Sequence, residues 1–186
     1  MNPIFAAALE LEVCCRTACL GYCFIGGLAV QRWGEPRMTR DVDMTLLTGF
    51  GGEAPFVDLL LGTFAGRLPD AREFALQNRV LLLQASNGVP LDISLGAMPF
   101  EERTIARSTP FWVETGVSLR TCSAEDLVVH KVFANRAKDW GDVTGIIARQ
   151  GAALTTSTIW EELLPLLALR EDATSEARLR GLLRQK

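Results

Sequence analysis

Phe24-Ile25-Gly26-Gly27 ends a short apolar run on two glycines, and after a gap of thirteen residues Asp41-Val42-Asp43 opens a second apolar run. On a β-strand, residues i and i+2 point to the same face. Asp41 and Asp43 are therefore expected side by side, with Val42, Met44 and Leu46 facing the other way. Two bare carboxylates about 5–7 Å apart repel each other by about 2–3 kcal/mol at an effective dielectric near 20. A cation offsets that repulsion, and hard oxygen ligands on a rigid strand suit Mg²⁺ or Mn²⁺. A glycine turn between a strand and a helix leaves free backbone N–H groups, which favour phosphate. Together these are the parts of a metal-dependent phosphoryl or nucleotidyl transfer site.

The bulk properties bound the reading. A chain of 186 residues suggests one domain, or one domain with an appendage. Hydrophobic residues make up 48%, enough for a substantial core. A net charge of −3 argues against broad attraction to nucleic acid, though not against a local basic patch. No run approaches the roughly 18–20 apolar residues needed to span a bilayer, so no membrane partner is expected. The start, Met-Asn-Pro-Ile-Phe, lacks the basic segment of a secretory signal, and a cytoplasmic location is expected.

Four of the five cysteines crowd into Cys14, Cys15, Cys19 and Cys23. Cys15, Cys19 and Cys23 fall at i, i+4 and i+8, which would align them on one helical face. No His or acidic partner sits at a recognised zinc spacing, so they are read as small apolar residues of a buried face in a reducing cytosol.

Along the chain, Asn2-Pro3 predicts a helix start and Gly21 its stop. Tyr22–Ile25 reads as a strand, Leu28–Trp33 as a helix, Val42–Leu47 as a strand and Pro55–Phe64 as a helix. Val80–Gln84 and Val89–Leu95 flank Asn87-Gly88, a strong hairpin signal. Pro99–Arg107 is expected as a helix, Phe111–Leu119 as irregular or β, and the chain from Ser123 onward as helices. The fold class expected is α/β (α+β): a mixed sheet flanked by helices over 1–119, and a C-terminal helical appendage over 120–186. In Pro90-Leu91-Asp92-Ile93-Ser94-Leu95, alternation sets Asp92 and Ser94 opposite Leu91, Ile93 and Leu95. An Asp in mid-strand is unfavourable by propensity, and edge solvation is one explanation for it. If this strand instead lies beside Asp41-Val42-Asp43, three carboxylates meet, the minimum set for holding one or two divalent ions against a triphosphate.

The two glycines, the gap, the Asp-x-Asp pair and the later strand Asp resemble the nucleotidyltransferase superfamily of the polymerase-β type. The string GGLAVQRWGEPRMTRDVD is similar to the AbiEii-type branch, which includes toxins of type IV toxin–antitoxin pairs. That branch carries a later Lys-x-x-Ala-x-x-x-Arg helix leading to Arg-Asp-x-x-Asp. Here the segment is Lys131-Val132-Phe133-Ala134-Asn135-Arg136-Ala137-Lys138-Asp139-Trp140-Gly141-Asp142, with Arg136 one step early and Lys138 in place of an arginine. Gly27 also replaces a serine common in the superfamily. The resemblance covers roughly residues 22 to 145.

What the resemblance implies is transfer of a nucleoside monophosphate from an NTP to a hydroxyl, with release of pyrophosphate. Asp41, Asp43 and Asp92 would be the catalytic carboxylates and the ligands of Mg²⁺ or Mn²⁺. Gly26, Gly27, Arg40, Lys131 and Lys138 would handle the nucleotide. The acceptors it implies are RNA, with the tRNA 3′ end as one case, or a small molecule such as an antibiotic; an antitoxin protein would be a partner. A non-catalytic nucleotide- or partner-binding module of the same fold is the competing class.

Lys131, Asn135, Lys138 and Asp142 would form one polar stripe on a continuous helix, and a solvated face is the rival reading. On that stripe Lys131 is expected as an unpaired surface lysine. Ser123 and Asp126 make a capping box at its start. Asp139 and Asp142 stand open between a site role and a helix start with Asp139 as N-cap and Asp142 three positions on. Arg32, Arg37 and Arg40 flank the first motif, as phosphate contacts or as partners of Glu35 or Asp41.

Overall fold

The computed structural model describes residues 2–184. The chain forms two compact units: residues up to Leu28 together with Met38–Cys122, and Ala29–Arg37 together with the chain from Ser123 onward. One boundary, between Leu28 and Ala29, falls inside helix α2 (Gly26–Trp33), and another follows the last strand. Strand β7 (Val117–Thr121) belongs to the first unit, whereas Gly34 and Arg37 bond to residues of the second.

In the first unit, helix α1 (Pro3–Thr17) starts as its sequence demands. The Asn2 side chain accepts a hydrogen bond from the Ile4 N–H at 2.9 Å, and Pro3 fills a position whose N–H would have no partner. The helix stops at Thr17, four residues before Gly21, because Cys19 turns the chain with φ of 55°. The expected cysteine face is therefore not formed. Cys15 is buried on α1, Cys19 is exposed in the turn, and Cys23 is buried on β1 (Tyr22–Phe24).

Helix α2 (Gly26–Trp33) follows directly, then β2 (Val42–Leu47) and α3 (Ala54–Leu61). The two-residue strand β3 (Ala65–Gly66) and helix α4 (Ala71–Asn78) come next, and neither carries a signal strong enough to predict. α4 buries only Ala71 and Ala75, too small and too few for an amphipathic stripe. Strands β4 (Val80–Gln84) and β5 (Pro90–Gly96) form the expected hairpin. Gly88 adopts φ of 83° in its turn, and Asn87 accepts from the Val89 N–H. Helix α5 (Pro99–Arg107) leads to β6 (Thr109–Glu114), which pairs with β7 as a second hairpin. A register shift at Trp112/Glu114 breaks its alternation.

The seven strands make one mixed sheet in the order β3-β4-β5-β2-β1-β7-β6. β2 runs parallel to β5 and antiparallel to β1. One face is apolar: Val42, Met44, Leu46, Leu81, Leu83, Leu91 and Ile93 are fully buried in a cluster with Leu11, Val57 and Leu60 from α1 and α3. Burying each such side chain contributes about 1.5–3 kcal/mol. The alternation that fills this face sends Asp43 and Asp92 to the other one.

The second unit is helical: α6 (Ala124–Ala134), α7 (Ala137–Gln150), a 3₁₀ turn at Gly151–Ala153, α8 (Thr156–Arg170) and α9 (Ala173–Arg184). α6 packs on α7, α8 and α9. Ser123 caps α6 as expected, accepting from the Asp126 N–H at 3.1 Å while its hydroxyl donates to the Asp126 carboxylate at 2.8 Å. The continuous stripe is broken, because Asn135 leaves the helix with φ of 53° and α7 begins afresh. Arg136 is the N-cap of α7 and Asp139 its third residue, accepting from the Arg136 N–H at 3.3 Å. Asp139 is thus not the N-cap, and Asp142 lies one turn further in.

Candidate active site

Parallel pairing of β2 with β5 sets Asp43 directly opposite Asp92, and Asp41 precedes Asp43 by two residues. One oxygen from each of Asp41, Asp43 and Asp92 lies within 4.8 Å of the others. All three are half-buried. Ligands of one octahedral ion stand up to about 4.2 Å apart, so a small side-chain rotation suffices to close this set around Mg²⁺ or Mn²⁺. The donors fit such an ion in kind as well, being hard carboxylate oxygens on a rigid sheet. Among the described residues no other group of His, Cys, Asp and Glu side chains gathers this way.

The two glycines are required by this cluster. A Cβ on Gly26 would stand 1.9 Å from Asp43 Oδ2, and its φ of 55° is itself costly for any side chain. A Cβ on Gly27 would meet Thr39 Oγ1 at 2.3 Å. The Thr39 hydroxyl donates to Asp41 Oδ1 at 2.9 Å, and the Gly27 N–H to Asp43 Oδ2 at 3.4 Å. Asp43 therefore sits at the start of α2, where the helix dipole favours a negative charge. The Gly27 N–H, one of the backbone donors expected to favour phosphate, is turned toward the Asp43 carboxylate.

Arg67, one residue beyond β3, forms an ion pair with Asp92. No motif pointed to it, since β3 itself carries no signal. Burial, more than any other influence, lifts the Asp92 carboxyl above its ordinary 3.8; Arg67 pulls it down and the nearby Asp41 pushes it up. Arg40, beside Asp41, is exposed.

The remaining sequence candidates lie in the second unit. Lys131, expected on the surface, is buried and binds Asp139 at 3.1 Å and Asp142 at 2.9 Å. Arg136 reaches Asp139 at 2.6 Å, and Arg37 grips Asp142 through two hydrogen bonds of 2.7 and 2.9 Å. Burial opposes ionisation of both carboxylates, yet these partners outweigh it and hold both below the usual 3.8. Asp139 and Asp142 are thus brought together with Lys131, as an internal ion network. Lys138 is exposed and lines an open cleft of about 320 Å³ with Glu35, Arg37 and Asp142.

No family model and no curated protein matches the chain. Solved structures do. An antigenic nucleotidyltransferase-like protein from Paracoccidioides brasiliensis superposes with a TM-score of 0.54 at 16% identity, covering 98% of this chain and 91% of that one. The solution structure of the antibiotic-resistance factor ANT(2″)-Ia gives 0.53 at 14% identity, covering 98% and 97%. Its crystal structure with adenylyl-2″-tobramycin gives 0.52 at 15%, covering 89% and 98%. The fold is of the nucleotidyltransferase type. At these identities the likeness is one of fold, and the sheet, with its flanking helices, is the architecture expected from the sequence.

Three measurements check these structural roles. Lys131→Ala strips a buried cation from two carboxylates, and should lower stability by about 3 kcal/mol in urea unfolding. The depressed carboxyls of Asp139 and Asp142 stabilise the fold above their unfolded pKa near 4. That contribution is lost as pH falls through the lower folded values, so the wild-type melting temperature should drop below about pH 4, more steeply than that of Lys131→Ala. Gly26→Ala should cost about 1–3 kcal/mol from its backbone conformation alone, read as a lower melting temperature.

Proposed function

We propose that the protein is a metal-dependent nucleotidyltransferase that moves a nucleoside monophosphate from an NTP to an acceptor hydroxyl and releases pyrophosphate. The observation that carries this reading is the in-register pairing of Asp43 with Asp92, with Asp41 alongside, at the start of a helix with two glycines. A sheet tolerates like charges directly opposite each other only at a cost, and a bound divalent cation removes it. Asp41, Asp43 and Asp92 are the residues that would hold Mg²⁺ or Mn²⁺; when bound, the ion neutralises charge on the triphosphate. Asp92, facing Asp43 on the neighbouring strand, is the carboxylate that by the family resemblance would help activate the acceptor hydroxyl. Exposed Arg40, next in sequence to Asp41, offers a cation to the phosphates. Lys131 serves by holding Asp139 and Asp142 in place and not through direct contact.

For the acceptor, the resemblance to the AbiEii-type branch supports RNA, such as the tRNA 3′ end, with an antitoxin as protein partner. A second reading is a cationic small molecule of the aminoglycoside class. The net charge of −3 favours it, as does the fold shared with an antibiotic-resistance factor solved with adenylyl-2″-tobramycin. A cytoplasmic location accords with either acceptor, and among the described residues no helix is long and apolar enough to cross a membrane.

Incubation with each α-labelled NTP and Mg²⁺, with total tRNA or with tobramycin, separates the acceptors by where the label appears. Transfer should require the divalent ion. NTP should raise the melting temperature only when Mg²⁺ or Mn²⁺ is present, by the equivalent of about 2.7 kcal/mol at a hundredfold excess over Kd. An equal shift in excess chelator overturns the metal reading. Asp43→Asn removes one repelling charge, so its melting temperature should hold or rise while transfer falls about 100-fold. Loss of folding in that variant would mean that the Asp43 carboxylate is structural.

A further inference from the structure

Strand register lays out one row of side chains across the site face of the sheet. Asp43 on β2 is opposite Asp92 on β5, and Asp92 is opposite Leu82 on β4. Gly66 on β3 pairs with Leu83, and one residue further the Arg67 N–H donates to the Leu82 carbonyl at 3.0 Å. Arg67, Leu82, Asp92 and Asp43 therefore follow one another on one face. The Arg67 side chain crosses Leu82 to bond Asp92, a span of two inter-strand spacings or about 10 Å between backbones. Half-buried Leu82 supplies an apolar floor for the arginine stem.

Backbone constraints fix this arm where it starts. A Cβ on Gly66 would meet that of Ala71 at 2.7 Å, so the glycine lets the start of α4 close on β3. The guanidinium end is less constrained. Side chains of Arg67 and Asp92 are 29% and 34% exposed, so the pair is wet enough to exchange. Asp92 Oδ1, the oxygen that Arg67 binds, belongs to one of the three carboxylates able to hold a divalent ion. A guanidinium bonded to that carboxylate takes up part of its acceptor capacity and repels an incoming cation, so the two compete for Asp92.

We propose that Arg67 is a tethered counter-cation that occupies the Asp92 side of the carboxylate triad and is exchanged for the divalent metal. It keeps the facing carboxylates compatible with a folded sheet when no metal is bound, and it weakens metal binding in the absence of nucleotide. Once displaced, the guanidinium remains on its arm beside the site, where an anionic phosphate would receive it. The inference rests on the reading of the triad as a metal site.

The test is Mn²⁺ binding to nucleotide-free protein, followed by the electron paramagnetic resonance signal of free Mn²⁺. Arg67→Met and Arg67→Gln remove the charge, and each should bind Mn²⁺ about tenfold more tightly than wild type. Arg67→Lys keeps a cation and should stay within about threefold of wild type. In an Asp92→Asn background, Arg67→Met should bring no gain, because the oxygen being contested is gone. Equal or weaker Mn²⁺ binding by Arg67→Met and Arg67→Gln overturns the exchange while leaving the metal site standing. A gain of the same size in the Asp92→Asn background also overturns it, since the effect would be general charge and not competition at Asp92. Absence of Mn²⁺ binding in wild type and in both neutral variants at millimolar concentration overturns the metal site and the exchange together.

Discussion

Two carboxylates facing each other across neighbouring strands set the terms for the first unit. Asp43 and Asp92 are in direct register, and like charges in that position destabilise a sheet. The pairing persists because the strands are fixed by their other faces. Val42, Met44, Leu91 and Ile93 are fully buried with α1 and α3, and slipping the register by one residue would turn every one of them to the wrong side. The hydrophobic core thus imposes the juxtaposition of charge. Around it the chain places what eases the repulsion locally: the start of α2 at Asp43, the Thr39 hydroxyl at Asp41, and Arg67 at Asp92.

The second unit handles buried charge differently. Lys131 is shared by Asp139 and Asp142, and each carboxylate has a further arginine, Arg136 or Arg37. Removing any one member leaves a buried charge short of a partner, which is how such networks become costly to alter without being strongly stabilising as a whole. Arg37 brings the 29–37 segment into this unit through a two-pronged grip on Asp142, joined by Arg149 donating to the Gly34 carbonyl at 2.5 Å. A Lys, an Arg and two Asp at motif-like spacing, with Arg37 from a distant segment, thus pair with one another.

What the sequence disclosed follows from which signals are local. Alternation around Asp41-Val42-Asp43 and Asp92 is a two-residue pattern, and Asn87-Gly88 names its own turn, so the site strands were legible. That β5 lies beside β2 is a long-range fact; it entered as a condition, and the register met it. Arg67 was illegible for the same reason, because its role depends on a two-residue edge strand that no propensity marks. The cysteine stripe failed at Cys19, and the helix stripe at Asn135, each through one residue in the left-handed region. Asn tolerates that conformation well enough to give a weak hint; Cys gives none. Lys131 was misplaced to the surface because its two carboxylate partners lie beyond the break, where helical periodicity stops describing neighbours.

The two charged clusters can be told apart by what their surroundings do to a carboxyl. Both contain aspartates whose burial works against ionisation. In the second unit the added cations more than compensate, and Asp139 and Asp142 are held below their ordinary values. At Asp92 they do not: even with Arg67 bonded to it, burial and the charge on Asp41 leave its carboxyl above 3.8. Such a carboxylate is short of positive charge in the folded protein, and ionising it costs stability as pH rises through its raised value. A structural ion network has no reason to stop short of balance, as the Lys131 cluster illustrates. At Asp92 one arginine does not outweigh burial and the neighbouring charge, and this difference in balance sets the two clusters apart.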